Sequence, residues 1–124
     1  MDRIFVVLGS INAAMAIALG AFGAHALKGR LSAELFHTFE TGTRYHLIHA
    51  LGLILVGILS HWLDRGGWLG TAGWIMLIGI VLFSGSLYLI TFTGVRAWGA
   101  VAPLGGISFM LAWLVIAVAV IRNV

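Results

Sequence analysis

His46 and His49, three residues apart in Tyr45-His46-Leu47-Ile48-His49, are the side chains whose types and spacing could do chemistry. On a helix an i, i+3 pair projects both imidazoles from one side, and imidazole ligates metal or haem iron or changes charge near neutral pH. Two histidines supply only part of a coordination shell, so a metal or haem centre would also need His25, Glu40 or a second chain. A proton or ion pathway could use the same pair, because ionisable groups within a membrane are functional candidates by default. Glu40 and Arg44 stand four apart, the spacing of an intrahelical ion pair. Ser84 and Ser86 have no His and Asp spaced to make either a nucleophile, which weighs against an enzyme. With no cysteine, disulfides, thiolate metal sites and cysteine nucleophiles are excluded.

These residues are embedded in a chain of 124 residues that is 61% hydrophobic and 9% charged. Ile4–Leu27, Tyr45–Leu63, Gly66–Val95 and Ala97–Ile121 contain no Asp, Glu, Lys or Arg. Each is near or above the roughly 20 apolar residues that cross a bilayer. The expected fold is all-α: a four-helix transmembrane bundle forming one integral membrane domain over 1–124, with spans near 4–27, 45–63, 67–92 and 103–121. A short amphipathic helical segment, 32–44, is expected between spans 1 and 2, with Ser32 as its N-cap and Glu34 in its first turn. Asp64-Arg65-Gly66-Gly67, between Trp62 and Trp68, reads as a tight turn with aromatic anchors at the membrane surface. The first apolar run is longer than the roughly 7 to 15 residues of a signal-peptide core, so it is expected to stay as a span.

Helical spacing also assigns faces. Gly9, Asn12, Ala13, Ala16, Gly20 and Gly23 form a small-residue packing seam on the first span, where helix backbones can approach closely. Along a continuous second helix, His46 and His49 share a side with Gly42, Gly57 and Ser60 and so face protein rather than lipid. His25 ends the first span at a similar depth, which makes a polar pocket with Tyr45, His46 and His49 at one surface a candidate ligand site. The opposing reading is that His46 and His49, like Asn12 and Tyr88, make interhelical hydrogen bonds worth on average about 0.6 kcal/mol each.

The seven Lys and Arg fall at span ends and make no basic stripe, so a net charge of +3 points to membrane lipids and not to nucleic acid. Lys28, Arg30 and Arg44 are placed to touch anionic headgroups. Four small spans leave little room for a lumen, so a solute pathway would call for a homo-oligomer. The basic residues split four to three between the two surfaces, so the positive-inside rule gives no orientation.

Gly20-Ala-Phe-Gly-Ala-His-Ala-Leu-Lys28, Phe39-x-Thr-Gly-x-x-Tyr-His-x-x-His-Ala50, Phe83-Ser-Gly-Ser-Leu-Tyr88 and Pro103-Leu-Gly-Gly106 together resemble the motifs of domain-of-unknown-function family 423, the YgdD-like membrane proteins. The resemblance covers essentially the whole chain. It implies a small multi-span protein of the bacterial inner membrane, with relatives in eukaryotes, and it specifies neither activity nor cofactor. By position in those motifs, His25, Lys28, Tyr45, His46, His49, Ser84, Ser86 and Tyr88 become site candidates. Lys28, Glu40, Arg44, Ser84 and Tyr88 join His25, Tyr45, His46 and His49 as expected ligand-binding residues.

Overall fold

The computed structural model describes residues 2–63 and 67–122. Helix α1 (Asp2–Phe22) continues into a single π-helical turn, Gly23–Leu27. Helix α2 (Ala33–Leu63) follows, then α3 (Trp68–Gly79), a second π-helical turn at Ile80–Ser84, and α4 (Gly85–Thr93). A 3-10 turn at Arg96–Ala100 leads into α5 (Ala102–Arg122). Joined through their π and 3-10 turns, these elements make, among the described residues, four helices long and apolar enough to cross a membrane: Asp2–Leu27, Ala33–Leu63, Trp68–Thr93 and Arg96–Arg122. The fold is an all-α bundle.

The ends of the helices follow from local chemistry. After the first π turn, Gly29 takes a left-handed φ of +86°, reversing the chain at little steric cost. Ser32 then caps α2, its hydroxyl accepting from the Leu35 backbone N–H at 3.1 Å. The expected amphipathic segment 32–44 thus becomes the first third of one uninterrupted 31-residue helix. Gly42 does not interrupt the helix. It marks a close approach, since a Cβ there would lie 2.9 Å from the Tyr88 ring. Pro103 occupies the first turn of α5, where its missing N–H goes unmissed. Of the expected 64–67 turn, Asp64–Gly66 lie outside the described residues, and Gly67 has a φ of +77°.

Packing follows a heptad rhythm. On α2 the buried positions include Phe39, Gly42, His46, His49, Leu53 and Val56. On α5 they are Gly105, Phe109, Ala112, Ile116 and Ala119. Alternating steps of four and three keep a seam facing its partner in left-handed helix packing. α1 lies chiefly along α2, and α5 along α3. Phe5, Leu53, Met76, Phe109 and Ile116 share one core.

Along α1 the buried residues are Phe5, Gly9 and Ala16, with Gly23 buried in the following turn. A Cβ on Gly9 would lie 2.6 Å from the Ala50 carbonyl oxygen, and one on Gly23 would lie 2.5 Å from the Phe39 ring. Asn12, Ala13 and Gly20 are half-buried. Gly20 differs from Gly9 and Gly23, because a Cβ there would meet nothing within 4 Å. Leu8, about 100° from Gly9 by helical phase and one turn before Asn12, packs half-buried against the core.

Candidate functional site

The buried polar groups gather where α2 crosses its neighbours. His46 is 2% exposed. The Asn12 side-chain amide donates to the Leu8 carbonyl at 2.8 Å, which turns the Asn12 amide oxygen toward His46. That oxygen lies 2.9 Å from His46 Nε2 and can only accept, so Nε2 carries the proton. Nδ1, 2.9 Å from Tyr88 Oη, then accepts from the phenol in the neutral ring. One directed row runs Tyr88 to His46 to Asn12 to the Leu8 carbonyl, joining α4, α2 and α1.

His49, 4% exposed, turns toward α5. Its ring stacks on Phe109 with centroids 3.5 Å apart and planes within 6°. Nδ1 donates to the Tyr45 carbonyl one turn back at 2.8 Å. Nε2 receives the Trp113 indole N–H at 3.0 Å. Indole is a donor only, so His49 is held in its neutral Nδ1–H tautomer. Both nitrogens of both histidines are therefore engaged inside the bundle. A metal could take either ring only by displacing one of these contacts, and among the described residues no three His, Asp or Glu gather closely enough to hold one.

The remaining candidates divide by depth. Ser84 is fully buried and donates to the Gly42 carbonyl at 2.8 Å, tying the second π turn to α2. Ser86, also buried, bonds within its own helix to the Phe83 carbonyl at 2.8 Å. His25 and Lys28 are exposed, and the Tyr45 side chain lies on the bundle exterior, 39% exposed. His46 and His49 thus point to different neighbouring helices, and His25 makes no hydrogen bond to either among the described residues. Trp113 and Phe109 complete the His49 environment, and sequence reasoning did not select them. The available signal was an indole in mid-span, far from the interfacial belt and so in need of a partner.

Glu40 and Arg44, both exposed, line a cleft of about 220 Å³ between the end of α1 and the start of α2, together with Gly20, Gly23, Phe39 and Thr43. The expected ion pair between them is absent among the described residues. Glu34, at the start of α2, instead receives Arg96 at 3.0 Å across the surface. At the opposite end of the bundle Asp2 and His61 approach to 3.1 Å.

The family described as protein of unknown function (DUF423) has a model that matches residues 19–106. UPF0382 membrane protein YwdK of Bacillus subtilis (strain 168) is 47% identical over 120 residues, covering 97% of this chain and 98% of that protein. UPF0382 membrane protein SERP0230 of Staphylococcus epidermidis is 42% identical over 120 residues, with 97% of each chain covered. No solved structure matches the chain. Matched over most of its length by the family model and nearly end to end by these relatives, this four-span integral membrane protein belongs to the DUF423 family.

Proposed function

We propose that the protein is a non-catalytic module of the inner membrane that binds a lipid headgroup, or a polar ligand of similar size, in the cleft between α1 and α2. In this reading His46 and His49 are interhelical clasps. The observation that carries it is the contrast in satisfaction: every imidazole nitrogen in the bundle interior has a partner, whereas Glu40 and Arg44 border open space in a shared cleft. Lys28 and Arg30, exposed at the same end, add the positive charge that anionic headgroups attract.

The row Tyr88, His46, Asn12 has the composition of a proton relay, but it ends on the Leu8 carbonyl, which has no proton to pass on. That dead end favours the clasp. The test is lipid phosphorus per chain in protein purified in mild detergent. Arg44→Gln and Gly20→Leu should lower it with little loss of thermal stability, while His46→Ala should lower stability and leave bound lipid unchanged. Unaltered lipid in both cleft variants would overturn the proposal.

A further inference from the structure

Resting on that cleft as the ligand site, we infer that its preferred occupant is a zwitterionic headgroup carrying a primary amine and a phosphate, the phosphoethanolamine group. Glu40 and Arg44 offer one anion and one cation from successive turns of one helix face, and neither is spent on the other among the described residues. Guanidinium presents a planar fork that binds phosphate oxygens in pairs. A carboxylate accepts N–H donors from an ammonium group through short, charge-assisted hydrogen bonds. A purely anionic headgroup would leave Glu40 facing like charge, and a quaternary ammonium has no N–H for it to accept.

The walls fit the same occupant. Gly20 contributes no side chain, and a Cβ there would meet nothing within 4 Å, so space is left against the α1 backbone. Phe39 is 1% exposed, its ring committed to packing beneath Gly23, so it offers no open aromatic face of the kind that cages quaternary ammonium. The cleft lies at the end of α1 where the chain turns through exposed Lys28 and Gly29, at the end of a span, where headgroups sit.

The experiment is native mass spectrometry of the detergent-solubilised full chain titrated with phosphatidylethanolamine, phosphatidylcholine, phosphatidylglycerol or soluble phosphoethanolamine. Phosphatidylethanolamine should bind about tenfold more tightly than the other two lipids, the ratio expected for one charge-assisted contact. Glu40→Gln should erase that preference, Arg44→Gln should weaken all three lipids, and Gly20→Leu, placed in open space, should block the cleft while the protein still folds. Equal binding of phosphatidylglycerol and phosphatidylethanolamine by the wild-type chain would overturn the amine assignment and leave the lipid site standing. Loss of no lipid in Gly20→Leu would overturn the site itself. Soluble phosphoethanolamine binding as tightly as the lipid would support the headgroup chemistry and assign it to a soluble source.

Discussion

Trp113 donates its indole N–H to His49 Nε2 at 3.0 Å, and so fixes from α5 which nitrogen of a ring on α2 holds the proton. The contact joins the second span to the fourth by a bond whose direction cannot reverse. Trp113→Phe should keep most of the aromatic volume, lose that bond, and destabilise the bundle by about 0.6 to 1.7 kcal/mol, the range for interhelical hydrogen bonds in membranes. Reversible unfolding in mixed micelles measures it. No change would mean that the indole contributes packing alone.

His46 makes two interhelical bonds where Tyr88 and Asn12 each make one to it. His46→Ala should therefore cost more than Tyr88→Phe. In a double-mutant cycle, Tyr88→Phe should cost nearly nothing once His46 is gone, because residues sharing a bond are not additive. Additive losses would show that the phenol and the imidazole act independently.

Gly9 and Gly20 should respond in opposite ways to alanine. At Gly9 the new methyl would meet the Ala50 carbonyl at 2.6 Å, so α1 must move off α2, an overpacking cost of about 1 to 3 kcal/mol. At Gly20 it enters open space, and the better helix propensity of alanine should leave stability unchanged or slightly raised. Thermal unfolding of the two variants side by side decides the matter; equal losses would place the close approach elsewhere.

The four candidate spans among the described residues predict both termini on one side of the membrane. Fusing a compartment-sensitive reporter to each end in turn should report the same side. Opposite sides would require an odd number of spans.

The spans and the Ser32 cap were legible in the sequence because each rests on local chemistry: charge-free runs and a short hydroxyl. The inward placement of His46 and His49 followed from helical phase. Their partners did not, since periodicity gives a direction and no identity for the neighbouring helix, and Trp113 lies 64 residues from His49. The π turn at Ile80–Ser84 was hidden for a related reason. Widening one turn changes the phase of everything after it, and a constant 100° per residue gives no sign of where such a turn falls. Glu40 and Arg44 had the spacing of an ion pair, but spacing makes a pair available without requiring it, and in the fold they stand apart at a cleft that only the approach of α1 creates.

The partners of the two histidines come from different moments in the making of the chain. Synthesis runs from the N-terminus, so the hairpin of α1 and α2 exists before the rest. Asn12 is present for His46 from the start, but the Tyr88 phenol arrives only with α4 and the Trp113 indole last of all, with α5. Until then each of the two imidazoles lacks one of the partners it holds in the finished fold. That unmet need gives the early half of the molecule a chemical demand that the later half meets.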